Sequence, residues 1–498
     1  MDKEKYGSLE YRNFLKTSIN STLKIFSELI KVKRSKYIAI PPPTECTNEI
    51  TDYNINITIG IDYDIILIPI IDPSLGDNID AASSACYLSR EDKRPIMGFV
   101  LLNQNYSYNK KNAQEYLIML LLHEITHVLV FSESLFEYFQ YSGEKTTTKT
   151  VNGINRKFLI TSTVRNLAAQ HFNCSSITGI ELENQGGEGS EGSHWEARVM
   201  LGDYMISTDY PEIVISDISL ALFKDSGWYE VNYYTGGLFR FGKGEGCKFL
   251  DSLCVNSNKS NFEFDFCDKK YENMCTSNYL NRGFCYITEY NSSLSSYYQY
   301  FDKSNIGGWE PADYCPVALP YKSSSYYFQS SCVNGELSSD ESYYPSSLGF
   351  SISEKSICMK SSLVNASDRS LSIYQYKRSM CHKIECDLDS KYYTVDIGNA
   401  LIECPTEGGE MEVEGYKGTI TCPPFNRVCT SEKYIANSIQ AALEHITNID
   451  VGNFNIDDDA NNDNDINNDS DNNNGNNEFF LKTINLYLYF IFIFLIIL

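Results

Sequence analysis

Residues 111–131 read KNAQEYLIMLLLHEITHVLVF, an apolar stretch whose length and spacing predict a helix. Inside it, His123-Glu124-Ile125-Thr126-His127 forms an H-E-x-x-H pattern. Histidines four positions apart on a helix project from one face, so both imidazoles can grip one metal ion with Glu124 beside them as a base. That is the core of a zinc peptidase. The bland alternative is a pair of helix histidines packed in a core, and a third ligand is what separates the two readings.

A catalytic zinc site takes three protein ligands and keeps one position open for water. Of the six histidines in the chain, His171, His194 and His382 are the candidates. His382 lies between Cys381 and Cys386 and reads as a surface residue of another domain. His171 falls on a predicted helix, Ser162 to Phe172, just before Cys174, and reads as a capping or packing residue. His194 is better placed. It follows Gly186-Gly187-Glu188-Gly189-Ser190-Glu191-Gly192, which can swing it toward the motif helix, and Met205 further on could form a methionine turn under the metal. The glycine run fits neither phosphate-binding nor dinucleotide-binding spacing, so it is expected to be a flexible loop.

The 498 residues, 42% hydrophobic and 13% aromatic, allow two or three domains with sizeable cores. A net charge of −24 argues against nucleic acid and against anionic membrane surfaces, although several acids cluster between Asp457 and Glu478. Sixteen cysteines begin at Cys46 and crowd from Cys247 to Cys429, without a C-x-x-C pair, which reads as disulfides. Sequons at Asn20, Asn56, Asn105, Asn173, Asn258, Asn291, Asn365 and Asn468 fit a secreted or surface glycoprotein. The start shows no secretory h-region; Leu9 to Val32 instead reads as an amphipathic packing helix, and the true start is expected upstream.

At the other end, residues 451–483 form an Asn/Asp-rich tract expected to be a disordered linker, followed by the apolar tail 484–498. Small residues at Ser470 to Gly475, a polar spacer and a terminal hydrophobic tail match a glycosylphosphatidylinositol signal, with a tail anchor as the other reading. Between the ends, strands are predicted in Asn54 to Asp72 and Met97 to Asn103, and a buried helix in Glu212 to Phe223 before Gly227-Trp228.

Taken with the H-E-x-x-H helix, Gly192-Ser193-His194-Trp195-Glu196 and Met205 resemble the leishmanolysin family of metzincin peptidases. Gly179-Ile180-Glu181-Leu182-Glu183-Asn184-Gln185-Gly186-Gly187 and Asp225-Ser226-Gly227-Trp228-Tyr229 extend the likeness across about Tyr6 to Cys429. The resemblance implies one zinc ion held by His123, His127 and His194, Glu124 as general base and proton shuttle, and Met205 as the Met-turn. It also implies disulfides Cys46–Cys86 and Cys174–Cys247, protein or peptide substrates, and a place at the cell surface or outside the cell. One departure stands out: the metzincin pattern has glycine three residues after the second histidine and this chain has Val130, which predicts a strained or displaced bend. The family's propeptide cysteine is also missing from this sequence.

The reading is an α+β protein: a metzincin-type catalytic core in two subdomains, 1–130 and 131–245, then a disulfide-rich domain, 246–450. Two rival functions remain: a surface adhesin or decoy that kept the fold but lost turnover, suggested by Val130, and a structural coat glycoprotein, which has no need of three histidines and Glu124 together.

Overall fold

The computed structural model describes residues 8–32, 64–72, 74–76, 79–103, 113–151, 153–187, 189–208, 210, 212, 214–232, 238–320, 330–333, 335, 349–367, 378–398, 400–429 and the backbone of 494–496. Cys46, the sequons at Asn56, Asn105 and Asn468, the Asn/Asp tract and most of the apolar tail lie outside them.

Helix α1, Leu9–Leu29, starts where the Ser8 side chain accepts from the Tyr11 amide at 3.1 Å. Its buried face runs through Tyr11, Leu15, Ile19, Leu23 and Phe26, and it packs on the motif helix. The chain then leaves as Ile30–Val32, paired antiparallel with Tyr229–Val231. Strand β1, Ile65–Asp72, is apolar nearly throughout and runs parallel to β3, Pro95–Asn103; β2, Ala81–Leu88, pairs antiparallel on the far side of β3. Phe494–Ile496 pairs antiparallel with the other side of β1.

The motif helix α2, Ala113–Leu129, lies against this sheet. Contact is close because Gly98 on β3 has no side chain: a Cβ there would sit 2.3 Å from Val128. Leu117, Leu121, Leu122, Ile125, Val128 and Leu129 are all buried, so a helix apolar enough by composition to cross a membrane is here a core helix.

Hairpin Thr146–Val151 and Ile154–Leu159 leads into helix α3, Ser162–Phe172, which packs on helix α4, Asp217–Ser226. Helix α4 begins five residues later than the apolar pattern predicted. The Ser216 side chain caps it by accepting from the Ser219 amide, and the Glu212 carboxylate is committed elsewhere. Glu212 accepts from the amides of Asn278, Leu280 and Asn281 at 2.6, 2.6 and 2.8 Å.

One apolar core extends from Tyr11 to Leu319, taking in Phe249, Val255 and Phe266. A second core, Cys275 to Cys429, underlies a six-stranded antiparallel sheet with the order 401–404, 392–396, 378–387, 356–361, 419–422, 409–412. Disulfides Cys275–Cys358, Cys332–Cys381, Cys386–Cys429 and Cys404–Cys422 cross-link that region. The mixture of helix and sheet with many disulfides is the α+β, cysteine-rich class that the sequence implied. His382 does not fit its expected surface position. It lies on strand Arg378–Asp387 with 0% exposure, its Nδ1–H donated to the Gly349 carbonyl at 2.8 Å. Ser379, Met380, Cys381 and His382 are buried one after another, so this part of the strand is covered on both faces, which spacing between cysteines could not reveal.

Candidate metal centre

Helix α2 presents His123 and His127 one turn apart, and the loop after Gly192 brings His194 to them. The three Nε2 atoms form a triangle: 2.9 Å between His123 and His127, 3.2 Å between His123 and His194, 3.1 Å between His127 and His194. Behind each ring is a backbone carbonyl. The Nδ1 of His123 lies 2.7 Å from the Tyr204 oxygen, that of His127 2.6 Å from Phe131, and that of His194 3.1 Å from Ser190.

A carbonyl oxygen only accepts, so each ring carries its proton on Nδ1 and leaves Nε2 as a bare lone pair. Three lone pairs then face one another at hydrogen-bond distance with no proton to share. That is unfavourable without a cation between them. Nitrogens around a tetrahedral zinc at about 2.0–2.1 Å stand about 3.3 Å apart, so this donor set fits the ion within a few tenths of an ångström. Carbonyl-bound Nδ1–H groups are the usual orienting partners of metal-binding imidazoles. Burial, and after it the neighbouring histidines, hold His127 well below its ordinary range and His194 down to about 3, so both stay neutral and able to ligate.

Each carbonyl is itself fixed. Val130 and Phe131 both donate their amides to Thr126 O, at 2.8 and 2.9 Å, which ends α2 with the Phe131 carbonyl turned to His127. Val130 is fully buried and is not among the residues of positive φ, so the expected strained bend is absent: this turn needs no left-handed residue. The Tyr204 carbonyl is held by its own side chain. Thr126 donates its hydroxyl to Leu122 O at 2.8 Å, so the Tyr204 hydroxyl, 3.0 Å away, donates to Thr126. In the glycine run the Ser190 and Glu191 amides donate to Gly187 O.

Met205 is fully buried in the next residue of that turn, and its amide donates to Asp203 Oδ1 at 2.8 Å. The Ser219 hydroxyl, 2.8 Å from the same oxygen, receives Trp195 Nε1–H at 2.7 Å, tying the residue after His194 to the turn. Glu124 is 5% exposed and burial raises its carboxyl above the usual range, while Ser83 on β2 donates to the Glu124 carbonyl at 2.7 Å. His171 is not brought to the cluster; its Nε2 lies 2.8 Å from Phe241 O and its ring stacks on Phe239. Cys174 and Cys247 are bonded, and Cys86 is disulfide-bonded. The carbonyls of Phe131, Ser190 and Tyr204 had no sequence signal, since any residue supplies one.

Comparison with known proteins places this arrangement among relatives. Residues 9–436 match the family described as leishmanolysin. The chain is 31% identical over 324 residues to a leishmanolysin homolog of Crithidia fasciculata, covering 62% of this chain and 47% of that protein. Leishmanolysin of Leishmania tropica is 27% identical over 324 residues, 62% of this chain and 46% of its own length. A leishmanolysin-like peptidase of Drosophila melanogaster is 26% identical over 421 residues, 71% of this chain and 61% of its own. The matched part thus spans about half the length of the first two relatives.

Proposed function

The chain belongs to the leishmanolysin family, and from that premise we propose that it is a zinc-dependent endopeptidase in which His123, His127 and His194 hold the metal and Glu124 is the general base. The observation that carries this is the triangle of Nε2 atoms, each ring with its Nδ1–H already given to a carbonyl. A zinc ion bound there would bring the pKa of a water toward neutrality and polarise the scissile carbonyl. Glu124 then takes the water's proton and returns it to the leaving amine, so peptide hydrolysis proceeds without a covalent intermediate. Its buried carboxyl, raised by desolvation, suits a group that both accepts and donates within one cycle.

Met205 is the Met-turn residue, and its segment serves to hold the Tyr204 carbonyl against His123. Among the described residues β2 is the outer strand of its sheet, and this edge, tied to the motif helix through Ser83, suits an extended peptide that adds as another strand. No observation favours the inactive adhesin or decoy, because the motive for it, a strained bend at Val130, is absent.

The disulfides fit an oxidising compartment, and a surface location completes the reading; a membrane anchor from the 484–498 tail requires Phe494–Ile496 to leave its pairing with β1. Asn258 and Asn291 are exposed and suit glycan attachment. Metal content measured beside casein cleavage tests the function: an active protein without zinc, or zinc without cleavage, defeats it. Release by phosphatidylinositol-specific phospholipase C tests the anchor.

A further inference from the structure

Next to the segment that carries His194, a second group of potential ligands is buried. Glu181, Glu196 and Asp313 bring carboxylate oxygens within 4.8 Å of one another, with exposures of 2%, 0% and 0%. Glu183, 2% exposed, adds a fourth negative charge that acts on Glu196. Two guanidiniums oppose them. Arg156 donates to Glu181 Oε2 at 2.9 Å and lies 3.4 Å from Asp313 Oδ2, whereas Arg198 gives its NH2 to the carbonyls of Phe249 and Ser252. Four carboxylates against two guanidiniums leave two negative charges in the interior, and each uncompensated buried charge costs several kcal/mol.

Most of the oxygens are spoken for. Glu183 accepts from Gln185 N and Ser207 Oγ, Asp313 Oδ1 from Gln185 Nε2, and Glu196 from Arg198 N and Asn184 Nδ2. Glu181 Oε1 and Asp313 Oδ2 accept no hydrogen bond although both are fully buried. The guanidiniums thus offset only part of the negative charge, and two buried carboxylate oxygens are left without a hydrogen-bond donor.

We propose that Glu181, Glu196 and Asp313 form a second cation site, distinct from the histidine centre, that takes a calcium ion. Donors that are all carboxylate oxygens select a hard cation over zinc. Oxygens bound to calcium at 2.3–2.6 Å stand at most about 5 Å apart, which the 4.8 Å limit satisfies. One divalent ion cancels the two excess charges. The Glu196 amide donates to Glu181 O at 3.0 Å and the Glu183 amide to His194 O at 2.9 Å. A cation at this point clamps the strand at Ile180–Glu181 to the segment that carries His194, and both to Asp313 far along the chain. It is a structural ion, and the inference does not depend on the peptidase reading.

The test uses the full chain, depleted of calcium on a chelating resin, with calcium and zinc measured in the same samples. The expected result is one calcium retained per chain on readdition and a rise of several degrees in the thermal midpoint. Glu196→Gln and Asp313→Asn should lose both responses. A wild-type protein that takes up no calcium and whose midpoint does not move overturns the proposal and leaves shared protons to neutralise the cluster. If neither variant folds, terbium luminescence of the wild type, and its displacement by calcium, decides in the same sense. A chain that binds calcium but lacks zinc keeps this site and defeats the peptidase instead.

Discussion

His127 Nδ1 donates to the Phe131 carbonyl, four residues further along the chain, at 2.6 Å. That bond joins the end of the motif helix to the orientation of one ring of the histidine triangle. It exists because the chain turns at Val130 and Phe131 with both amides on Thr126 O, and no left-handed residue is involved. In the expected metzincin pattern a glycine would supply the turn; here a buried valine packs into the core as the helix ends.

Val130→Gly should therefore be harmful, not corrective. It removes a fully buried side chain and adds backbone freedom to the unfolded state. A loss of about 2 to 3 kcal/mol in urea unfolding is expected, with zinc affinity unchanged or weaker. A stabilised or more active variant would show that the valine turn is strained after all.

Loss of the Cys174–Cys247 bond should weaken the end of α3. Asn173 caps that helix in the left-handed region, and the Phe172 carbonyl accepts from the Gly246 amide at 2.7 Å. The disulfide spans a sequence separation of 73 residues, so chain entropy assigns it about 4 kcal/mol. The Cys174→Ser, Cys247→Ser double variant should melt many degrees lower while retaining metal, as differential scanning calorimetry and zinc analysis would report.

Acid should weaken the second core through His382. Burial holds its imidazole down to about 4 against an ordinary 6.5. The unfolded chain takes up a proton near 6.5 and the folded chain resists until about 4. Its contribution is thus present above 6.5 and lost as pH falls toward 4. The shift sets an upper bound of about 3 kcal/mol. Glu181 and Asp203, raised to about 7 and about 6 by burial, act in the opposite sense over part of that range. The comparison must therefore be between wild type and His382→Asn, whose urea stability should fall less on going from about pH 7 to about pH 5. Equal pH dependence in the two proteins would remove His382 as a cause.

The parts legible in the sequence were those with a strong local period or an unusual residue type. Sequence pattern gave α3 at its observed bounds, α2 two residues too long at each end and α1 running on into Ile30–Val32, which is a strand, and two histidines at helical spacing marked the candidate centre. Ala81–Leu88 was missed because AASSACYL has no strong alternation; its place is set by pairing with β3. The six-stranded sheet was missed for a related reason: short strands between disulfides carry little pattern, and tertiary contacts decide them. His194 could be favoured only through neighbouring glycines and Met205, while the bonds that bring it to α2 involve backbone groups of Ser190, Glu183 and Met205.

The decisive experiment separates base, ligand and packing residue. Glu124→Ala removes the proposed base but none of the three ring nitrogens, so zinc should stay bound while turnover drops by about 10²-fold or more. His194→Ala deletes one corner of the Nε2 triangle, and metal affinity and activity should fall together. His171→Ala should keep zinc, but it will not be silent. His171 is held by Phe241 O at 2.8 Å and packs on Phe172 and Phe239, so the variant should lose about 2 to 4 kcal/mol of stability. Zinc stoichiometry, peptide cleavage and urea unfolding on the three proteins give three distinct signatures. A zinc-poor, inactive His171 variant beside an active His194 variant would transfer the third-ligand role to His171 and overturn the proposed centre.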